Sequence, residues 1–458
     1  MNPTVQNRFA TLAALKPSRR RAAVEMDIEP RGLSPEIPEG SARLAELLGA
    51  MPARNRFGEH LALRRWFSES IGCEPPEQAV DETVLRLLAP KAPADITDPQ
   101  RWLFLDTETT GLAGGTGTYA FLVGIAWWDA GGLEVEQFFM RDHSEEHSLL
   151  VALAERMAER RVLVTFNGKS FDWPLLETRY RMTRTIRPPT PRAHLDFLHP
   201  ARNLWRLRLG SVRLPELERH VLGWNRGVDI DSMLIPTIYF DFLRGGSPDP
   251  LVPIFYHNQM DLRGLAGLAA HTLSLLADPE TRGRDALELF GVSRICERRG
   301  EAKRARGLYE RSIAWKLPAE TGRTARKSLA QIAKRDGDFA IACELWREML
   351  GQSREGLEAY EQIAIHYERR LREPRQAAAL VREALAELRR ATRLGTIAPW
   401  VCLRYRKRFE KRLVRLETKT RRALPDGPTD TGIAESNGPA AESNRKAATR
   451  ENSDRQSG

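Results

Sequence analysis

Apolar residues recur along this chain in runs whose spacing separates strand-like from helix-like segments. Between residues 101 and 200, the runs WLFLD, TYAFLVGIAWW and LEVEQFFMR are rich in β-branched and aromatic residues and are separated by glycine-containing turns. Short runs bounded by turn residues predict three adjacent strands in a meander. The later runs VLVTFNG and HLDFLHP predict a fourth and a fifth strand.

Helical spacing appears between and after these strands. SEEHSLLVALAERMAERR has helical periodicity, and DWPLLETRYRM carries Pro174 near its start, where a helix tolerates proline. Residues 213–277 indicate several more helices. The order β-β-β-α-β-α-β, followed by helices, predicts an α/β fold with a mixed five-stranded sheet flanked by helices.

The segments around this block have other patterns. Residues 1–40 are polar with a basic KPSRRR cluster, and we expect them to be disordered. Residues 41–100 show helical spacing in SARLAELLGAM and EHLALRRWFSESIG and end in a proline-rich linker, which predicts a helical extension. Residues 425–458 are rich in Gly, Ser, Asn and Asp, and we expect a disordered tail.

Residues 285–424 predict a separate all-helical domain. Three stretches, RRGEAKRARGLYERSI, KRDGDFAIACELWREML and RLREPRQAAALVREAL, are weakly similar, so that Ala305 matches Ala342 and Tyr309 matches Trp346. A period in the mid-thirties is typical of tetratricopeptide-like helical hairpins, although a plain helical bundle would give the same pattern. Such repeats would offer a surface for a protein partner or for guiding a substrate.

Composition narrows the possible settings. The chain has 458 residues, and its 71 Lys and Arg against 61 Asp and Glu leave a net charge of +10, which attracts polyanions such as nucleic acid. No apolar run reaches the length of about 20 residues that a membrane helix needs. The N-terminus does not match a secretory signal, and the four cysteines are far apart in the sequence. We therefore expect a cytoplasmic protein with no membrane partner.

Two acidic residues end the first strand of the meander. Asp106 and Glu108 are two positions apart, so in a strand they project to the same face. Like charges held close repel, and one of them takes up a proton unless a cation lies between them. A hard divalent cation such as Mg²⁺ prefers oxygen ligands. If the pair stood alone, a strand running into a solvated polar turn would be the favoured explanation.

Two further groups of residues argue against that simpler explanation. Asp172 follows the fourth strand, together with Asn167 and Phe171, and can face the same edge of the sheet. Asp261 is predicted on a late helix, where His257 lies four positions earlier on the same helix face. The order of strands and helices allows all four acids to converge.

These residues resemble the three motifs of the DEDD 3′–5′ exonucleases, which have an RNase H-like fold. The matching motifs are Asp106-x-Glu108, Asn167-x-x-x-Phe171-Asp172 and His257-x-x-x-Asp261. The longer strings FLDTETTGLAGGTGTYAFLVG and HLDFLHPARNLW are similar, more narrowly, to the YprB-type RNase H-like family. The resemblance covers residues 102–276 and implies an exonuclease-like domain over residues 101–277.

The resemblance implies a metal-dependent nuclease, most simply a 3′–5′ exonuclease acting on a single-stranded end of DNA or RNA. The four carboxylates Asp106, Glu108, Asp172 and Asp261 would hold two Mg²⁺ or Mn²⁺ ions and activate a water molecule. The residues before Asp261 differ from the best-known subtypes. Their spacing favours His257 as the general base, with Tyr256 as the alternative.

The same resemblance suggests residues that contact the nucleic acid. The backbone amides of Thr107 and Thr109 would meet the terminal nucleotide, and Asn167 and Lys169 would contact phosphate. Phe171 would stack on a base. A core position for Phe171 and a simple turn position for Asn167 explain these two residues equally well.

Two alternatives accompany this reading. The first is a catalytically silent RNase H-like scaffold that binds nucleic acid or protein and carries a helical-repeat adaptor, although the retention of all four acids favours an enzyme. The second concerns HSEEH at residues 143–147, which fits a zinc-binding pattern but is explained as a capped helix start. Asp196 in the fifth strand could be functional or structural.

Overall fold

The computed structural model describes residues 39–69, 71–111, 116–129, 131–351 and 353–422. The chain divides into two compact units, Met1–Arg282 and Gly283–Gly458. The segments expected to be disordered, 1–40 and 425–458, lie outside the described residues, except that the first helix already begins at Glu39. The narrower domain limits 101–277 and 285–424 stay predictions.

The first unit is an α/β structure. Its strands are β1 (Met51–Asn55), β2 (Gly58–Phe67), β3 (Trp102–Thr109), β4 (Ala120–Asp129), β5 (Gly132–Phe139), β6 (Val162–Thr165) and β7 (Ala193–Asp196). Its helices are α1 (Glu39–Leu48), α2 (Glu82–Leu88), α3 (Glu146–Glu159), α4 (Asp172–Thr183), α5 (Leu198–Leu209), α6 (Leu214–Leu217), α7 (Ile235–Leu243), α8 (Val252–Ala277) and α9 (Pro279–Arg282). A π-helical turn, Glu218–Leu222, follows α6 directly.

The seven strands form one mixed sheet in the order β1-β2-β5-β4-β3-β6-β7. Strands β3, β4 and β5 form the expected antiparallel meander, and β6 and β7 extend it in parallel from β3. The predicted count of five strands is too low. The two additional strands come from the N-terminal segment: β2 pairs with the outer edge of β5, and β1 pairs with β2.

The prediction that residues 41–100 form a helical extension and a linker is therefore wrong in part. EHLALRRWF forms β2, because Leu61 and Leu63 alternate with more exposed positions and pair with the β5 segment that ends at Phe139. A turn at Gly58, whose φ of 116° suits glycine, folds β1 back onto β2. A short apolar run fits either a helix or a strand. Here it forms a strand because the edge of β5 offers unpaired backbone groups with which it can hydrogen-bond.

Helices cover both faces of the sheet. Strand β4 is buried along nearly its whole length, as expected for a strand with helices on both sides. Helix α8 packs against β3 and β4, and α3 packs against β1, β2 and β5. The HSEEH segment begins with a 3-10 turn whose N-cap is Asp142, and the Asp142 carboxylate accepts the Ser144 N–H.

The second unit is helical. Its described helices are α10 (Ala286–Arg298), α11 (Ala302–Ala314), α12 (Ala319–Arg335), α13 (Phe339–Glu348), α14 (Arg354–His366), α15 (Pro374–Leu394) and α16 (Pro399–Arg422). Each helix contacts the next along the chain. The matched pairs Ala305 with Ala342 and Tyr309 with Trp346 are buried, as a repeat requires. The tetratricopeptide class stays a prediction. Within the described residues, no helix is long and apolar enough to span a bilayer.

Candidate active site

The end of β3 carries Asp106 and Glu108, and its surroundings hold Asp106 in place. In the β3–β4 register Asp106 lies opposite Gly124. A Cβ atom on Gly124 would lie 2.0 Å from the side-chain oxygen of Asn258 on α8, so glycine is needed to admit that side chain. The Asn258 amide donates to Asp106 Oδ2 at 2.8 Å. A register shift immediately after Glu108 marks a β-bulge, which re-aims side chains at a strand end.

Asn258 is itself fixed by a buried series of amide side chains. Gln259 Nε2 donates to Gln137 Oε1 at 2.8 Å, and Gln137 Nε2 donates to Asn258 Oδ1 at 2.8 Å. These amides are almost completely buried. Their hydrogen bonds leave the Asn258 NH₂ group directed at the carboxylate, so the orientation of Asp106 depends on residues from β5 and α8.

Asp172, the first residue of α4, comes to the same strand end from the other side of β3. The hydroxyl of Thr107 donates to Asp172 Oδ1 at 2.6 Å. Asp196, at the end of β7, lies close enough that its charge raises the pKa of Asp172. Asp196 is nearly buried and accepts the backbone N–H groups of Asn167 and Lys169, at 2.8 and 3.1 Å. It therefore orders the turn that precedes α4.

Asp261, on α8, is held by an arginine that the sequence analysis did not single out. The guanidinium of Arg226 forms ion pairs with Asp261, with Glu218 and, at 3.2 Å, with Asp229. Arg226 is 8% exposed and Glu218 is completely buried. A Cβ on Gly264 would lie 1.8 Å from Glu218 Oε1, so this glycine of α8 makes room for the buried carboxylate.

His257 faces the carboxylates from α8. Its Nδ1 lies 2.7 Å from Asp229 Oδ1, and because a carboxylate can only accept, Nδ1 carries the proton. Its Nε2 lies 3.9 Å from Glu108 Oε1 and 3.6 Å from Asp261 Oδ2. Burial alone would raise the pKa of Asp229, but the hydrogen bond and charge of His257, with Arg226, hold this pKa below its usual value. Asp229 thus orients the ring.

The carboxylates interact electrostatically across the site. Burial raises the pKa of Asp106 well above its ordinary value, and the charges of Asp261, Glu108 and Asp172 raise it further. Burial likewise raises the pKa of Glu108, with contributions from Asp261 and Asp172. Burial raises the pKa of Asp172 to about 6, against the opposing effect of the Thr107 hydroxyl. The four acids from β3, α4 and α8 therefore share one electrostatic environment.

Such a donor set suits a hard divalent cation. It offers only carboxylate oxygens, which Mg²⁺ and Mn²⁺ prefer, and its unbalanced negative charge favours any cation that enters. Within the part of the chain that the structure describes, however, no group of three or more His, Cys, Asp or Glu side chains is arranged as a ready metal site. This also applies to the HSEEH segment, where His143 contacts the ring of Tyr119 and His147 that of Phe57.

The other residues predicted to touch substrate lie around this strand end. Phe171 is 58% exposed at the start of α4, so the alternative of a core position is wrong. Asn167 has a φ of 69°, which matches the turn position considered for it. Thr109 donates its hydroxyl to the Gly111 carbonyl, and the Tyr256 hydroxyl lies 3.4 Å from the Arg226 carbonyl oxygen.

A cavity of about 330 Å³ opens beside Asp196. Its size lies in the range of pockets that hold small ligands. Three basic side chains, Lys91, Lys169 and Arg192, line it together with His194 and His199. Arg192 also pairs with Asp95 at 3.1 Å. The cavity therefore has a cationic lining and lies next to the turn that precedes Asp172.

The comparisons with known proteins agree with this architecture. A family model of the RNase H superfamily matches residues 103–273. The mixed sheet and its flanking helices fit an RNase H-like fold over these residues. The chain is also 32% identical over 247 residues to the uncharacterized protein YprB of Bacillus subtilis (strain 168), a match that spans 54% of this chain and 59% of that relative. Less than two thirds of that relative's length is therefore covered.

A solved structure, that of the family B DNA polymerase from the hyperthermophilic archaeon Pyrobaculum calidifontis, is also similar in part. It is 16% identical, covers 44% of this chain and 30% of the polymerase chain, and gives a TM-score of 0.32. Likeness at this level supports no conclusion about function.

Proposed function

We propose that the RNase H-like domain is a divalent-metal-dependent nuclease that hydrolyses phosphodiester bonds, most simply as a 3′–5′ exonuclease. The observation that carries the proposal is the electrostatic coupling of four carboxylates from three distant segments, on β3, α4 and α8. A fold that only needed stability would gain nothing from gathering like charges in one partly buried place. Perturbed carboxylates gathered in this way are typical of functional sites.

The side chains around the acids suit distinct tasks. Bound divalent cations, which the resemblance puts at two Mg²⁺ or Mn²⁺ ions, would supply Lewis-acid polarisation of the phosphate and acidify the attacking water. The four carboxylates Asp106, Glu108, Asp172 and Asp261 would hold these cations. His257, with its Nδ1–H donated to Asp229, directs its Nε2 toward Glu108 and Asp261, and it would act as the general base toward the water. The exposed Phe171 is placed to stack on a base.

Cationic groups near the acids would hold the rest of the strand. Lys169 lies in the turn before α4 and lines the cavity with Lys91. Phosphate contacts by such side chains add affinity without sequence preference. This fits a nuclease that accepts many sequences, with the phosphodiester backbone expected to run between the acids and the cavity.

The test uses the full chain with Mn²⁺ or Mg²⁺ and single-stranded DNA and RNA oligonucleotides, each labelled at either end. A ladder of shortening products from the 5′-labelled strand, abolished by EDTA and by Asp106→Asn, is the expected result. Asp241→Asn, a change at an exposed residue of α7, is the matched control and should cleave normally.

Other outcomes would change the conclusion in defined ways. Discrete internal products would keep the nuclease but replace the exonuclease with an endonuclease. Retained binding of the oligonucleotides without cleavage under either metal would reject the enzyme in favour of an RNase H-like binding scaffold.

A further inference from the structure

We propose that Arg226 takes the position of one of the two divalent cations expected at the carboxylates, so that the site binds a single divalent ion. The inference rests on the proposed function, because it concerns how that site is completed. It begins from a difference between the four acids. Asp261 is paired with a guanidinium, whereas Asp106 accepts from the Asn258 amide and Asp172 from the Thr107 hydroxyl.

The arginine belongs to the interior of the domain. Arg226 is 8% exposed, and its guanidinium contacts three carboxylates, those of Glu218, Asp229 and Asp261. A guanidinium presents five N–H donors in a fixed fork, which lets one side chain serve several acids at once. Arg226 therefore meets the Asp261 charge in the way a bound cation would.

Glu218 holds Arg226 in this position. It is completely buried on the π-helical turn after α6 and has Arg226 as its ion-pair partner. If Arg226 swung away to let a metal ion reach Asp261, Glu218 would keep a buried charge without its cation, which is strongly unfavourable. The movement that would free Asp261 for a metal is therefore opposed by a residue outside the site.

Asp261 and the glycine that makes room for Glu218 lie on the same helix, α8. Gly264, whose missing Cβ admits Glu218, lies three positions after Asp261 on α8, so both face the same direction. Replacing Gly264 by any other residue would push Glu218 away, because a Cβ there would come within 1.8 Å of its oxygen. The same face of α8 thus carries Asp261, which contacts the guanidinium, and Gly264, which leaves room for the carboxylate of Glu218.

What remains for an external cation is the group Asp106, Glu108 and Asp172. Asp106 accepts from an amide at 2.8 Å, and Asp172 accepts from a hydroxyl at 2.6 Å. Glu108 lies 3.9 Å from an imidazole nitrogen. The Asn258 amide and the Thr107 hydroxyl carry no charge, so they do not balance the negative charge of Asp106 and Asp172. A single divalent ion would balance most of it, and Arg226 would supply the charge that a second ion brings elsewhere.

The experiment counts Mn²⁺ ions bound to the full chain by titration calorimetry, together with electron paramagnetic resonance. Ions that also bind Asp106→Asn/Asp172→Asn are subtracted, which leaves those of the site. The expected result is one Mn²⁺ per chain, with no signal from a coupled pair of Mn²⁺ ions. Two site-bound ions in the unaltered chain would overturn the inference.

A second variant removes the arginine and its anchoring charge together. Glu218→Gln/Arg226→Met removes the completely buried Glu218 charge together with its cation and frees Asp261, and we expect the count to rise to two Mn²⁺ per chain. Arg226→Lys keeps a positive charge and should stay at one. A count of one in the double variant, folded as judged by circular dichroism, would contradict the inference, and the spectrum of the unaltered chain tests it even if that variant does not fold.

The outcomes separate this inference from the nuclease proposal. Two ions with cleavage reject the single-ion site and keep the nuclease. One ion with no cleavage of any oligonucleotide keeps the single-ion site and rejects the nuclease. No site-bound Mn²⁺ rejects both.

Discussion

Buried acids occur in both units of this protein, under opposite electrostatic conditions. In the first unit, Asp106 is surrounded by other carboxylates, and burial together with their charges raises its pKa. In the second unit, the Glu368 side chain is only 2% exposed, and burial alone would raise its pKa as well. Hydrogen bonds from Arg415 and Lys419 instead lower this pKa to about 2.

The difference shows how a structural acid can be told from a candidate functional one. Glu368 receives three cations from α16, those of Arg412, Arg415 and Lys419, at 2.8, 2.7 and 2.8 Å. Its charge is balanced inside the chain, so the cluster joins α16 to the turn after α14. Among the described residues, Asp106, Glu108 and Asp172 form no ion pair with an arginine or lysine, and they are suited to a cation from solution.

The largest expected effect is on the stability of the balanced cluster. Glu368→Gln removes the charge that three cations share, and we expect a loss of about 2 kcal/mol in the free energy of unfolding, since removing one partner of a buried pair is costly. The expected loss is smaller than for a fully buried ion pair, because Arg415 and Lys419 are about half-exposed and can turn to water. Urea denaturation of the second unit's helical signal measures it.

The control for this change is Glu417→Gln on α16, the helix that carries the three cations of the cluster. Glu417 is 40% exposed and pairs with Arg382, which is 56% exposed, so the loss should stay below about 1 kcal/mol. Equal losses in the two variants would mean that Glu368 is no more important than a surface acid, and the comparison would lose its basis.

The unbalanced cluster should respond with the opposite sign. Asp106→Asn keeps an oxygen that accepts from Asn258 and removes one of the repelling charges. In EDTA we expect the midpoint of thermal unfolding of the first unit to rise by about 2–4 °C, which corresponds to roughly 1 kcal/mol for a unit of this size. Asp241→Asn, at an exposed position, should leave the midpoint unchanged. A lower midpoint for Asp106→Asn would show that the acids do not repel one another.

The two clusters should also give opposite pH dependence. Asp172 has its pKa raised from 3.8 to about 6, so its favourable contribution is complete below pH 3.8 and is lost as the pH rises through 6. Glu368 has its pKa lowered from 4.5 to about 2, so its contribution is complete above pH 4.5 and is lost as the pH falls toward 2.

Unfolding midpoints measured against pH in EDTA test these two windows. Asp172→Asn should flatten the curve between pH 4 and 6, and Glu368→Gln should flatten it below pH 4.5. If Asp172→Asn changed the unfolding midpoint only below pH 4, the raised pKa of Asp172 would be contradicted.

The smallest effect contrasts two lysines. Lys169 lines the cavity beside Asp196, whereas Lys419 is committed to Glu368. Lys169→Ala should weaken binding of single-stranded oligonucleotides and reduce the slope of log affinity against log salt by about 1, as expected for the loss of one phosphate contact. Lys419→Ala should lower stability and leave that slope unchanged. Fluorescence anisotropy at several salt concentrations measures both.

Much of the fold was readable from local patterns. Strands β3–β7, helices α3 and α4, and the helix carrying Asp261 follow from periodicity and turn residues, since a strand or helix of this length shows its own spacing. The grouping of Asp106 with Glu108 follows from the two-residue repeat of a strand, and that of His257 with Asp261 from the helical repeat. Both pairs are set within a single element.

The tertiary structure decided what no single element contains. The β1–β2 hairpin forms because β5 offers an open edge, and Asn258 reaches Asp106 because Gly124 lacks a side chain. Arg226 meets Asp261 because Gly264 admits Glu218 into the interior. These contacts join residues far apart in the chain, so no local spacing announces them. The sequence alone therefore determined which acids are available and on which elements they lie, and only packing decided which of them are balanced by the protein's own cations.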